Sequence, residues 1–177
     1  MPKHLKKLSE EVVHENPWWT YKHDTYTKPN DEPGDYYYVE KSDAVVIIPI
    51  LDENRIGLVV QYRYLSERLS TEFPAGAANS DSLLEGAQRE LLEETGFSAE
   101  KWVNIGSFYP TNGIVKQKAH VFLAYVHAQT DQQLDDTEEI DVVTRRPDEI
   151  EQMIQRNEIT DGFTLSAWSL VRHYFVS

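Results

Sequence analysis

Apolar residues run unbroken through most of residues 43–51 (DAVVIIPIL) and recur through 55–64 (RIGLVVQYRY). Runs of that length, separated by a polar DEN at 52–54, predict two buried strands joined as a hairpin. Residues 101–109 (KWVNIGSFY), 118–128 (KAHVFLAYVHA) and 140–146 (IDVVTRR) carry the same strand character. Earlier in the chain, WWTYKHDTYT (18–27) and YYYVE (36–40) are rich in aromatic and β-branched residues, which suits strands. Between them KPNDEPGD (28–35) has turn composition. Residues 4–14 (HLKKLSEEVVH) are predicted to form a short helix, and STEFPAGAANSDS (70–82) to be mostly loop. PTNGIVK (110–116) is a linker and TDQQLDDTEE (130–139) an acidic loop. Pro147 suits the first position of a helix reaching about Arg156. Asp161 can cap a last helix with Phe163, Ala167, Leu170, Val171 and Tyr174 at helical spacing. The tally is a mixed α/β chain.

Helical periodicity is clearest over residues 82–95, closed by Gly96. With Leu84 at zero and about 100° per residue, Leu83, Ala87, Leu91 and Leu92 define an apolar arc. On the same wheel Glu93 falls near ~180°, Glu90 near ~240° and Glu94 near ~280°, so the three carboxylates share one arc overlapping the apolar edge. Glu94 lies between Ala87 and Leu83. A solvated acidic face is the plainer alternative and, for glutamate pairs on a helix, the commoner one. Like charges one turn apart destabilise a helix, partial burial of a carboxylate costs more, and the helix C-terminus favours cations. A bound divalent cation removes all three penalties. Arg89 is placed to pair with Glu85 and to lie beside Glu93. Upstream, the small residues of PAGAA let backbone approach a ligand closely, and a hard cation takes carbonyl as well as carboxylate oxygens.

Composition narrows the partners. The chain has 177 residues, 17 Lys and Arg against 30 Asp and Glu, and a net charge of −13. Such a field repels nucleic-acid phosphates. The chain has no cysteine, hence no disulfide, thiolate nucleophile or cysteine–zinc site. The basic N-terminus, MPKHLKKLSEEVV, lacks the apolar stretch of a signal peptide, and no apolar run is long enough to span a membrane. A cytoplasmic protein with neither nucleic-acid nor membrane partners is expected. There is no GxSxG and no HExxH, and the histidines are scattered.

Residues PAG…RELLEETGF resemble the Nudix box of Nudix hydrolases. Arg89, Glu90, Leu91, Glu93, Glu94, Gly96 and the apolar Phe97 fill its second half. In the first half Gly76 stands one residue closer to Arg89 than the family pattern has it, and Asp81 or Ser82 occupies the place of the loop glutamate. DAVVIIPIL, RIGLVVQYRY, TEFPAG, IGSFYPTNG, TEEIDVV and NEITDGFTLSAW are similar, in order, to the ADP-ribose pyrophosphatase branch. The resemblance implies a Nudix fold, an α/β/α sandwich on a mixed sheet, over residues 42–177. Residues 1–41 would be an N-terminal strand extension and a dimerisation element of a homodimer. It further implies Mg²⁺ or Mn²⁺ bound by Glu90, Glu93, Glu94 and the carbonyl of Ala75. Glu93 and Glu94 would be catalytic through that ion, and Glu138 would act on the attacking water, with Asp136 and Glu139 as alternatives. Arg63, Glu72, Gly76 and Asn112 would contact substrate, and one of Trp18, Trp19 and Tyr21 would stack on the nucleobase.

The implied reaction is hydrolysis of a nucleoside diphosphate derivative, ADP-ribose to AMP and ribose 5-phosphate. PTNGIVKQK departs from that branch: Asn112 stands in a proline slot, and Lys116–Gln117 where acidic residues are expected. A UDP- or GDP-hexose is therefore an alternative substrate. A non-catalytic nucleotide-binding module of the same fold is a further alternative, which retention of all three box carboxylates disfavours.

Overall fold

A computed structural model describes residues 5–52, 54–78, 82–134 and 136–175. In chain order its strands are β1 (Lys7–Asn16), β2 (Trp19–Thr27), β3 (Pro33–Glu40), β4 (Ala44–Asp52), β5 (Arg55–Arg63), β6 (Arg68–Glu72), β7 (Ala75–Ala77), β8 (Phe97–Phe108), β9 (Val115–Lys116), β10 (Ala119–Gln129) and β11 (Ile140–Arg145). The helices are α1 (Leu83–Thr95), α2 (Pro147–Gln155) and α3 (Gly162–Val171), the last followed by a 3-10 turn at Arg172–Tyr174. Two units result. One holds residues 1–42 and 109–118, the other residues 43–108 and 119–177. Among the described residues no helix is long and apolar enough to cross a membrane.

The first unit is a four-stranded sheet in the order β1-β2-β3-β9. The helix expected over residues 4–14 is instead strand β1; His4 lies outside the described residues. Lys and Glu in this stretch favour helix locally, but β2 offers a full antiparallel partner from Asn16↔Trp19 to Lys7↔Tyr26. The Asn16 side chain closes the hairpin by accepting the N–H groups of Trp18 and Trp19, a local turn that Asn favours. Ion pairs cross the sheet in series: Lys7 with Glu10 and Asp24, Lys22 with Glu10 and Glu40, and Lys116 with Glu40. Among the described residues of this unit, only Tyr38 and Asp24 are buried.

The second unit is an α/β/α sandwich. Its sheet runs β11-β5-β4-β10-β8, with β6 beside β5 and β7 beside β4. β4 pairs parallel with β10 and antiparallel with β5, so the sheet is mixed. β4 is apolar on both faces because both are covered. Val45 and Ile47 pack with Ala87 and Leu91 of α1. Val46, Ile48 and Ile50 pack with Ile150 of α2 and Ala167, Trp168 and Val171 of α3. The turn between β4 and β5 includes residue 53, which lies outside the described residues.

The segment expected to be mostly loop, residues 70–82, pairs twice. β6 continues the hairpin partner of β5 from Arg63↔Arg68 to Val59↔Glu72, and β7 adds to β4 from Val46↔Ala75 to Ala44↔Ala77. Short segments flanked by proline and glycine carry little periodicity, so the pairing comes from tertiary context. The pairing fixes Ala75 and Gly76 on the sheet beneath α1.

Candidate active site

α1 starts where the Ser82 hydroxyl accepts the N–H of Glu85, and ends at Gly96, whose φ of 69° is left-handed. A Cβ at Gly96 would lie 2.1 Å from the carbonyl oxygen of Thr130, so glycine is required by conformation and by space. Between these caps the amphipathic pattern turns Ala87 and Leu91 inward and takes Glu94 with them. Glu94 is 5% exposed and Ala87 and Leu91 are fully buried.

The Glu94 carboxylate accepts the backbone N–H of Ala75 at 3.2 Å. Burial first, and then the neighbouring charge of Glu90, push its pKa up to about 8. The Glu90 side chain is 12% exposed, and burial raises its pKa while Arg89 works against the rise. Glu138 adds to the upward push on both Glu90 and Glu94. The acidic loop thus brings Glu138 toward the two buried acids. Asp136, Glu138 and Glu139 are all exposed on this loop.

Gly76 lies directly under Glu90. A Cβ there would come within 2.0 Å of the carboxylate carbon and 2.1 Å of its Oε2. The glycine makes the room in which the Glu90 carboxylate sits. Arg89 reaches over this group: it donates to Glu93 at 2.7 Å, to Glu90 at 2.6 Å and to the Ala77 carbonyl at 3.1 Å. Its ion pairs are with Glu90 and Glu93 rather than the expected Glu85. Asp81, one candidate for the missing loop acid, lies outside the described residues; Ser82, the other, caps α1.

Arg63 and Glu72 form a forked pair. The Arg63 Nε donates to Glu72 at 2.8 Å and Nη2 bonds the other oxygen. Glu72 is 3% exposed, so its charge is matched inside the protein. The charges of Asp161 and Glu94 also bear on Arg63 and, with Glu72, raise its pKa further. Arg63 is therefore held at the site by a buried carboxylate while half of its side chain stays exposed.

Two features of the site were missed in the sequence. Asp161 was identified as a helix cap, and its side chain does accept Thr164 N–H. It also accepts the Thr164 hydroxyl, whose oxygen in turn accepts the N–H of Phe73 at 3.0 Å. The cap of α3 therefore holds the segment leading to Ala75. The second feature is Gln132, whose side chain bonds the end of α1.

In the first unit, Asn112 lines a cavity of about 550 Å³ with Tyr36, Tyr38, Tyr109 and Lys116. Lys116 is paired with Glu40 at 2.6 Å. Trp18 is exposed, Trp19 packs 5.5 Å from the His14 ring, and Tyr21 lies 6.2 Å from Tyr37. Among the described residues no three acidic or histidine side chains are already gathered around one point; Glu93 in particular is turned onto Arg89. The donors are nonetheless all oxygens, the Glu94 and Glu90 carboxylates are largely withdrawn from water and raised in pKa chiefly by that burial, and Gly76 forms the floor. This set suits a hard divalent cation.

A helix carrying the inward-turned Glu90 and Glu94 thus lies over the short Ala75–Ala77 strand of a mixed sheet held between helix layers. The chain belongs to the Nudix family: the NUDIX domain model matches residues 40–164. It is 32% identical over 142 residues to an ADP-ribose pyrophosphatase of Bacillus subtilis (strain 168), covering 78% of this chain and 77% of that one. A methanol dehydrogenase activator of Bacillus methanolicus is equally similar, 32% identical over 142 residues, with the same 78% and 77% coverage. A crystal structure described as an ADP compounds hydrolase superposes with a TM-score of 0.84 at 22% identity, covering 97% of this chain and 94% of that one. The protein is a Nudix hydrolase. Members of this family generally use a divalent metal.

Proposed function

We propose that this enzyme hydrolyses ADP-ribose to AMP and ribose 5-phosphate with Mg²⁺ or Mn²⁺, held by Glu90, Glu93, Glu94 and the Ala75 carbonyl. The observation that carries this reading is the burial of Glu94 beside Glu90 and Glu138, an arrangement that a cation makes favourable. A divalent cation, when bound, neutralises the diphosphate and lowers the pKa of a bound water. Glu138 accepts the proton of the attacking water as its oxygen bonds to phosphorus. The bridging P–O bond breaks and its electrons leave with the departing phosphate. Arg63, anchored by Glu72, offers its exposed N–H groups to phosphate oxygens. Arg89 holds Glu93 and the Ala77 carbonyl, and Glu93 would leave Arg89 in order to bind such a cation.

A panel of nucleoside diphosphate derivatives, with and without Mg²⁺ or Mn²⁺ and coupled to phosphatase, tests the reaction. ADP-ribose is expected to give the highest kcat/KM. Faster turnover of UDP-glucose or a GDP-hexose would replace the substrate, and no turnover with any metal would end the enzymatic reading. Glu138→Gln should lower kcat by roughly 100-fold; a loss below about threefold would move the base to Asp136 or Glu139.

We further propose a homodimer built on the first unit. Among the described residues its β1 strand stands at the edge of the sheet, and Leu8, Val12, Val13 and Trp18 are each about half or more exposed. Such a surface is suited to burial. Light scattering giving the mass of one chain would refute this.

A further inference from the structure

The acidic loop must hold Glu138 at a fixed height over α1, and nothing in the composition of TDQQLDDTEE ensures that. The structure supplies a specific connection. The last carbonyls of a helix have no partner within it. In α1, those of Glu93 and Glu94 accept from the loop: Gln133 N–H donates to Glu93 O at 2.9 Å, and Gln132 Nε2 donates to Glu94 O at 2.6 Å. Gly96 O is taken by the N–H of Thr130 at 2.8 Å. The second N–H of the Gln132 carboxamide reaches Ile140 O at 3.0 Å. One side-chain nitrogen therefore bonds the residue that carries the buried acid and the residue two positions after Glu138.

We propose that Gln132 is a positioning residue for this reaction. Its carboxamide ties the entry and exit of the acidic loop to the C-terminus of α1 and thereby sets Glu138 against Glu90 and Glu94. The inference rests on the assignment of Glu138 as the group that acts on water. A carboxamide is suited to the task because its nitrogen carries two donors and no charge. Glutamate in its place would present an acceptor to two carbonyl oxygens, and asparagine would fall short by one methylene.

Gln132→Met keeps the length of the side chain and removes both donors. In metal-free protein, hydrogen–deuterium exchange is expected to accelerate over residues 130–140, the Gln133 amide included, while β4 and β10 stay protected. With substrate and Mg²⁺, kcat should fall about 10- to 100-fold with KM nearly unchanged, the range expected for a displacement of about 1 Å. The decisive comparison is with Glu138→Gln. If Gln132 acts through Glu138, the double variant is no slower than Glu138→Gln alone. Multiplicative losses would show that Gln132 acts elsewhere and would overturn the proposal, as would unchanged exchange over 130–140. Gln132→Asn should not restore the rate; full restoration would also overturn it. If the wild-type enzyme turns over no nucleoside diphosphate derivative, the functional assignment falls, and the exchange measurement alone decides whether the clamp exists.

Discussion

Glu94→Gln should stabilise the metal-free protein at alkaline pH while reducing its activity. The Glu94 carboxylate is 5% exposed, and its pKa rises from an ordinary 4.5 to about 8. The folded state therefore holds this proton more tightly than the unfolded state. Below the unfolded value both states are protonated and the group costs nothing. As pH rises toward the folded value the unfolded chain ionises first, so stability falls, and the full penalty is present above about 8. At about 1.4 kcal/mol per unit the shift sets a ceiling of roughly 5 kcal/mol, and relaxation with water entry brings the expected figure to about 2–4 kcal/mol. Glutamine keeps an acceptor for the Ala75 N–H and has no charge to bury. Urea unfolding in a chelator, from pH 4.5 to pH 9, reads the difference. With a slope of about 1–3 kcal/mol per molar urea, the variant's midpoint should lead by about 1 M or more at high pH and converge at low pH. Other titrating groups largely cancel in the comparison. Equal midpoints at pH 9, or a gap that does not change with pH, would refute the reasoning. Addition of Mg²⁺ should then stabilise the wild type and leave the variant nearly unmoved.

Gly76→Ala should fold and lose most of its activity, because the new methyl occupies the position of the Glu90 carboxylate. A kcat within about threefold of wild type would show that Glu90 can move without consequence. Thr164→Val should lower stability by about 1–3 kcal/mol, since the buried N–H of Phe73 loses its acceptor. Thermal unfolding measures this, and an unchanged midpoint would show that another group replaces the hydroxyl.

The second half of the site was legible because it is local. Glu90, Glu93, Glu94 and Gly96 lie within two turns of one helix, where a period of 3.6 residues sorts inward from outward positions. The apolar runs of β4 and β5 were equally plain, as both faces of the sheet are covered. Residues 4–14 were misread because their Lys and Glu favour helix while their partner strand lies across a turn, beyond any local pattern. The bond between Phe73 and Thr164 spans 91 residues, and that between Gln132 and Glu94 spans 38. No window short enough to show periodicity contains either pair. Arg63 and Glu72 were each singled out as substrate contacts, and what separated them in that reading was the hairpin that brings them into one pair. Each charge looked free because its partner could not be seen.

The first unit has one further consequence. Among its described residues Tyr38 is the only buried hydrophobic side chain, while Lys7, Glu10, Lys22, Glu40 and Lys116 alternate in sign across its four strands. The second unit rests on hydrocarbon, which added salt hardly weakens. The first rests on charges at or near the surface, and raising the salt from 0.1 M to 1 M shortens the screening length from about 10 Å to about 3 Å. Ionic strength therefore acts on the two units unequally: amides of β1 to β3 should open more often in concentrated salt while those of β4 and β10 keep their protection.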